Sequence, residues 1–120
     1  MHIAYLTVSA IAVAMNLGIA IADSARAPFV LANSAEVHVP EPWLPWLAAC
    51  KAAGAVGIAV ALVGDVPMLA VAASTGLVLF YLGAVGFHVR AKVFYNIGFP
   101  GAFLAVAAAV LVLAAVECPS

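Results

Sequence analysis

Residues 44–64, "LPWLAACKAAGAVGIAVALVG", form one apolar run whose only charged residue is Lys51. As a helix this run would extend about 30 Å, because each residue adds about 1.5 Å, and the hydrocarbon core of a bilayer has the same thickness. The segment therefore predicts a transmembrane helix. Lys51 is unexpected within it, because the whole chain has only four Lys and Arg residues.

The amino-acid composition indicates a membrane protein. Hydrophobic residues make up 68% of the 120 residues and charged residues 8%. Soluble domains contain about 45–50% apolar residues and about 25% charged residues. A chain this short cannot bury so much apolar surface in a water-soluble core. The four basic and five acidic residues provide no basic patch for nucleic acid, so nucleic acid is excluded as a partner.

Three further segments are long and apolar enough to cross a bilayer. The predicted spans are residues 3–22, 44–64, 68–88 and 97–116, within one transmembrane domain of residues 1–120. We expect the first span to be retained rather than cleaved as a signal peptide, because "MHIAY" has no basic residue before the apolar run. Helices satisfy the backbone of such long segments in lipid. The predicted fold class is all-α, an integral membrane four-helix bundle.

The connections between the spans predict their arrangement. The turn "GDVP" is so short that the second and third helices must be antiparallel neighbours. The longer first loop could hold a short interfacial helix capped near Asn33 or Ser34. Arg26 lies in loop 23–43, and Arg90 and Lys92 lie in loop 88–96. By the positive-inside rule these two loops are expected to be cytoplasmic, with both termini outside.

Polar residues are concentrated at the end of the predicted bundle that carries the first and third loops. Asp23, Lys51, His88 and Arg90 all belong to this end, and Asn16 lies about two helical turns deeper. Spacings of four or seven put the polar residues of the first and third spans on one face of each helix. These residues are Tyr5, Ser9, Asn16 and Asp23 in the first span and Ser74, Tyr81 and His88 in the third. The pattern predicts a polar pocket at this end.

Lys51 has two interpretations. Its stem could carry the ammonium towards the headgroups, which is called snorkelling. It could instead face the bundle and pair with Asp23 or with an anionic oxygen of a ligand. An ionisable residue within a span is a functional-site hypothesis by default, so Lys51 is the first candidate site residue.

The other candidates also have structural alternatives. His88 could exchange protons near neutral pH or serve as an interfacial donor at a helix end. Asn16 could contact a ligand or form an interhelical hydrogen bond, and Tyr81 a ligand or another polar group. Asp23 could take a catalytic role or pair with Arg26. Arg90 could bind a ligand or contact lipid phosphate.

Several chemistries find no support in the sequence. Metal-binding motifs such as HExxH, glycine-rich phosphate loops and nucleophile elbows do not occur, and we expect no built-in metal or cofactor. Cys50 is predicted near one face of the membrane and Cys118 near the other, so they should not form an internal redox pair.

Three segments resemble the DoxX-like family of small bacterial membrane proteins. They are "LPWLAACKAAGAVGIAVALVG", "LAVAASTGLVLFYLGAVGFHVRAK" and "FPGAFLAVAAAVLVL", and the resemblance runs from about Pro28 to Val116. It is most specific at Lys51 with its small neighbours and at "HVRA", residues 88–91. The resemblance implies a four-helix bundle in the bacterial inner (plasma) membrane. Relatives have been linked to quinone-coupled thiosulfate oxidation and to thiol or oxidative-stress complexes.

Three functions follow as hypotheses. The first is binding of a small lipophilic, quinone-like molecule by Asn16, Lys51, Tyr81, His88 and Arg90, in an oxidoreductase-associated role that needs a redox partner protein. The second is a cofactor-independent membrane enzyme with Asp23 as base and Lys51 or His88 as acid, acting as an isomerase, an epoxide-opening enzyme or a cyclase. The third is an assembly subunit whose small residues Gly76, Gly83 and Gly86 mark packing or dimer faces. Whichever of these functions it has, we expect the bundle to form a homo-oligomer.

Overall fold

The chain folds as a bundle of α-helices in the computed structural model, which describes residues 1–118. Those residues contain no β-strand. The helices are α1 (His2–Ser24), α2 (Pro28–Glu36), α3 (Leu44–Gly64), α4 (Pro67–Arg90) and α5 (Gly98–Glu117), and a 3₁₀ turn (Glu41–Trp43) leads into α3. Four of them, α1, α3, α4 and α5, are long and apolar enough to cross a membrane. The predicted four-helix membrane bundle is confirmed, and the protein is a multi-pass membrane protein.

Local sequence signals explain where the helices begin and end. Proline occupies the first or second position of α2, α3 and α4, where its missing N–H costs no helical hydrogen bond. After α3, Asp65 adopts the left-handed conformation with φ 53°, which reverses the chain within the short turn to α4. The short helix predicted in the first loop exists. However, α2 begins at Pro28 and is preceded by Ala27, so Asn33 and Ser34 lie within the helix and do not cap it.

The four long helices form an up-and-down bundle in which every neighbouring pair is antiparallel. α1 packs against α3 and α5, and α4 packs against the same two helices. α1 and α4 are therefore diagonal partners that run parallel to each other. His2 and Glu117 contact each other across one end, whereas Asp23, Lys51 and His88 belong to the opposite end, which we name the polar end.

Buried polar residues follow the diagonal between α1 and α4. The hydrogen bond between Asn16 and Tyr81 spans 65 positions. The same sequence offset separates Ser9 from Ser74 and Asp23 from His88. These levels are seven residues, or about 10 Å, apart along the helices. The five buried polar residues of the described chain all lie on these two helices: Ser9, Asn16, Asp23, Ser74 and His88.

α3 and α4 approach each other closely in the middle of the bundle. A Cβ atom at Gly54 would lie 2.5 Å from Leu77 Cδ2, and one at Gly57 would lie 2.9 Å from Ala73 Cβ. Glycine therefore permits the contact, as small residues commonly do between membrane helices. Nearer the polar end aromatic rings lie beside α4, where Trp43 and Phe87 meet edge to face with ring centroids 6.3 Å apart.

Candidate functional site

A cavity of about 600 Å³ lies at the polar end of the bundle, between the four long helices and α2. Its walls are mainly apolar and aromatic. The aromatic lining residues are Phe29, Trp43, Phe80, Tyr81, Phe87, Tyr95, Phe99 and Phe103. The other polar lining residues are Asp23, Asn33, Ser34, Glu36, Lys51, His88 and Asn96.

An ion pair between Lys51 and Asp23 lines this cavity. Lys51 Nζ lies 2.6 Å from Asp23 Oδ2, and the two side chains are only 12% and 4% exposed. Asp23 lies in the last turn of α1, which has no basic residue. A carboxylate is electrostatically unfavourable there, because a helix carries partial negative charge at its C-terminus. Lys51 of α3 supplies the compensating positive charge.

The ammonium of Lys51 faces the bundle interior rather than the headgroups. It lies 5.4 Å from the centroid of the Phe80 ring, within the range of a cation–π interaction. Asp23 is its hydrogen-bond acceptor within the described residues. A lysine ammonium has three N–H donors, and one of them is used in the hydrogen bond to Asp23.

Tyr81 and Asn16 form a buried hydrogen-bond chain beneath the cavity. The Tyr81 hydroxyl donates to Asn16 Oδ1, and Asn16 Nδ2 donates to the carbonyl oxygen of Ala12 over 2.8 Å. Tyr81 lines the cavity, whereas Asn16 does not. Asn16 therefore fixes the position of the Tyr81 ring instead of facing the cavity itself.

His88 joins α4 to α2 at the outer part of the cavity. Its Nδ1 lies 2.9 Å from the carbonyl oxygen of Ala84, and its Nε2 lies 3.3 Å from Asn33 Oδ1. Asn96 Nδ2 donates to the same Asn33 oxygen over 2.9 Å. Because a carbonyl oxygen can only accept, Nδ1 carries the proton in this bond, and Nε2 is the ring nitrogen directed to Asn33.

Arg90 and Arg26 lie outside the cavity. The Arg90 guanidinium is 4.5 Å from the Phe87 ring centroid, and Arg90 is absent from the cavity lining. Arg26 Nε pairs with Glu41 Oε1 at 3.2 Å, so Asp23 pairs with Lys51 and not with Arg26. The structure thus brings Asp23, Lys51, Tyr81 and His88 to one cavity and leaves the two arginines on its outside.

Tyr95 and Glu36 contact each other at the rim, outside the membrane-spanning helices. The Tyr95 hydroxyl donates to the Glu36 carboxylate over 2.6 Å. This hydrogen bond raises the pKa of Tyr95 above its ordinary value, because it stabilises the protonated phenol beside a negative charge. The contact links α2 to the loop between α4 and α5.

Sequence reasoning missed the contribution of α2. Asn33, Ser34 and Glu36 line the cavity, yet they lie in a loop where polar residues are ordinary. The available signal was the spacing of Phe29, Val30 and Asn33 in a short helix that begins at a proline. These positions share one face when the segment is helical.

Outside the cavity, the described residues include free thiols and unpaired buried hydroxyls but no metal-binding cluster. Cys50 and Cys118 are both free thiols. Within residues 1–118, no three His, Cys, Asp or Glu side chains cluster closely enough to hold a metal ion. At the end opposite the cavity, the hydroxyls of Tyr5 and Ser9 are buried without a hydrogen-bond partner.

A comparison with known protein families assigns the chain to one of them. The model of the DoxX-like family matches residues 7–110, which include all of α2, α3 and α4. This protein belongs to the DoxX-like family. The resemblance seen in the sequence is confirmed, and the match extends it into α1, where Asp23 lies. No curated protein and no solved structure matches this DoxX-like chain.

Proposed function

We propose that this DoxX-like protein binds a small lipophilic, quinone-like molecule in the cavity at the polar end, in an oxidoreductase-associated role. The cavity volume of about 600 Å³ falls within the range of about 300–1,000 Å³ for ligand pockets. Apolar walls with a few convergent polar groups are also typical of such pockets. The aromatic rings along the wall suit a planar ring, because aromatic pairs gain energy from offset or edge contacts.

The observation that carries the proposal is the Lys51–Asp23 pair in the cavity wall. Removing two charges from water is costly, and apolar residues can often replace a buried ion pair without loss of stability. The packing of the four helices therefore does not by itself account for the pair. A buried ammonium with unused N–H donors beside an aromatic wall supports a ligand oxygen as its further partner.

Individual residues would act on the ligand in different ways. Lys51 would donate to a ring oxygen, and Phe80 and Tyr81 would contact the ring plane. His88 Nε2 would hold or release a proton at the outer part of the cavity. A bound quinone would supply reversible electron transfer coupled to protons, and the electrons would come from a partner protein.

The proposed location is the bacterial inner (plasma) membrane with the cavity on the cytoplasmic side. Arg26 and Lys92 lie in the two connections that flank the cavity, and Arg90 is the last residue of α4 at the same polar end. The positive-inside rule assigns these connections to the cytoplasm and both termini to the outside. A soluble redox partner would then approach from the cytoplasm.

Native mass spectrometry of the full chain, released from detergent, tests the proposal. The wild-type protein is expected to carry one discrete small molecule besides lipids. Lys51→Met is expected to bind this molecule about tenfold more weakly or worse, because removing a charged hydrogen-bond donor costs about 1.5–3 kcal/mol of binding free energy. The matched control is Lys92→Met, since Lys92 is exposed and outside the cavity.

The comparison between the two lysine variants decides the outcome. Retention in Lys92→Met and loss in Lys51→Met support a ligand held by Lys51. The same set of lipids on all three proteins, with no discrete molecule, would refute the binding function and leave the cavity to ordinary lipid.

A second candidate is an enzyme without a cofactor that performs acid–base chemistry on a lipophilic substrate. The observation that favours it is that Asp23, Lys51 and His88 line the same cavity, which provides a base and two acids in a water-poor site. On this hypothesis the wild-type protein releases a loaded substrate with an altered structure, whereas a binding protein releases it unchanged. Chromatography of the released molecule distinguishes the two.

A further inference from the structure

We infer that the group recognised by the Lys51–Asp23 pair is a ring hydroxyl, so that the site prefers phenols and hydroquinones to the corresponding carbonyl compounds and ethers. This inference rests on the proposed ligand-binding function and adds the chemical class of the ligand. The pair places a hydrogen-bond donor and a hydrogen-bond acceptor side by side in the cavity wall. Only a group that both donates and accepts can satisfy the two at once.

The Asp23 carboxylate receives a hydrogen bond from one side chain of the described chain, that of Lys51. A carboxylate can accept about four hydrogen bonds, but Lys51 is its only side-chain donor within residues 1–118. The backbone cannot help, because the last turn of a helix leaves carbonyl oxygens free and not N–H groups. The side chain is nonetheless only 4% exposed and faces the cavity. A donor from a bound molecule would satisfy it.

The neighbouring polar groups cannot supply this donor. The Tyr81 hydroxyl is used by Asn16, and Arg26 is paired with Glu41. His88 faces Ala84 and Asn33. Among the described residues that surround the cavity, Asp23 is therefore an acceptor with spare capacity.

A phenolic hydroxyl matches the pair in both directions. Its O–H would donate to Asp23, and its oxygen lone pairs would accept from Lys51. A carbonyl or ether oxygen would accept from Lys51 but would bring its lone pairs next to the Asp23 carboxylate, which is repulsive. A site built for a hydroxyl rejects analogues that lack it, because its own polar group is then left unpaired.

The aromatic residues explain why the hydroxyl should be carried by a ring. Phe80 and Tyr81 meet edge to face with centroids 5.1 Å apart, and Tyr81 and Phe103 lie 5.3 Å apart. All three line the cavity together with the ion pair. An aromatic ring whose hydroxyl reaches Lys51 and Asp23 can contact these faces and edges.

Equilibrium dialysis with two matched probes tests the inference. The full chain in lipid nanodiscs is dialysed against 2-naphthol or 2-methoxynaphthalene. The two share a ring system, but a methyl group in the ether replaces the hydroxyl proton of 2-naphthol. Protein-free nanodiscs give the partitioning into lipid, which is subtracted. We expect wild type to bind 2-naphthol at least about tenfold more tightly than the ether, as expected for one unpaired buried polar group.

Two carboxylate variants assign the preference to its residue. Asp23→Asn is expected to reduce the ratio of the two affinities to about two or less, because an amide can donate to the ether oxygen. Glu41→Gln is the control, since Glu41 is exposed and does not line the cavity, and it should keep the wild-type ratio. The wild-type ratio needs no variant and stays informative if Asp23→Asn fails to fold.

Each outcome has a distinct meaning. Equal binding of both probes to wild type, abolished by Lys51→Met, would overturn the hydroxyl preference while leaving the binding function standing. No binding of either probe beyond lipid partitioning would overturn both. A naphthol preference that persists in folded Asp23→Asn would overturn the assignment to Asp23.

Discussion

Lys51→Met is expected to lower the free energy of unfolding by about 3–5 kcal/mol, the usual cost of removing one partner from a buried ion pair. The remaining Asp23 carboxylate would be almost fully buried at the C-terminal end of a helix, without a compensating charge. The double variant Asp23→Asn/Lys51→Met removes both charges and is expected to recover most of the loss. Denaturant titration in detergent, followed by circular dichroism, measures the three stabilities.

The pair Arg26–Glu41 provides the matched control for this cycle. Its side chains are 48% and 61% exposed, so the corresponding single variants should cost less than about 1 kcal/mol. A Lys51→Met protein as stable as wild type would show that Asp23 does not depend on Lys51. It would contradict the claim that Lys51 compensates the buried charge of Asp23.

Gly54→Val is expected to destabilise the bundle by about 1–3 kcal/mol, the usual cost of overpacking a core. The new side chain would have to occupy space held by Leu77, which is 1% exposed and already within 2.5 Å of the Cβ position. Either Leu77 changes rotamer or α3 and α4 separate. Thermal unfolding in detergent micelles measures the effect.

Gly76→Val is the control for this substitution. Gly76 lies on the exposed side of α4, and a Cβ atom there would meet nothing within 4 Å. Valine at this position is expected to leave the unfolding midpoint close to that of wild type. Equal effects of the two substitutions would contradict the close approach of α3 and α4 at Gly54.

The transmembrane fold could be predicted because its cause lies in the sequence itself. Four long apolar runs must form helices in lipid, where every backbone polar group needs an internal partner. The interior faces also followed from helical periodicity. Tyr5, Ser9, Asn16 and Asp23 recur at spacings of four or seven, and all four are buried in the structure.

The candidate site was only partly predictable. The gathering of Asp23, Lys51 and His88 at one end follows from the order and direction of the helices. The ion-pair partner of Asp23 does not follow from the sequence, because both Arg26 and Lys51 are predicted at the same end of the bundle. The packing of α1 against α3 brings Lys51 to Asp23. Arg26, although nearer to Asp23 in sequence, pairs with Glu41.

The part contributed by α2 depended on a contact over long sequence separation. Asn33 Oδ1 accepts a hydrogen bond from Asn96 and lies 3.3 Å from His88 Nε2, and these two residues are 63 and 55 positions away. No local pattern in a short loop helix specifies such partners. Arg90 does not line the cavity; its guanidinium instead contacts the ring of Phe87, which precedes it by about one helical turn.

Quenching of tryptophan fluorescence by menadione, a tail-less naphthoquinone, and by its hydroquinone tests the central claim that the cavity binds a quinone-like molecule. The two tryptophans provide their own control, because Trp43 lines the cavity and Trp46 does not. With Trp46→Phe only Trp43 reports, and its quenching is expected to saturate and to lose saturation with Lys51→Met. With Trp43→Phe, quenching of Trp46 should rise linearly with the quinone dissolved in the membrane. Linear, unsaturable quenching of both tryptophans by both redox forms would contradict a binding site in the cavity.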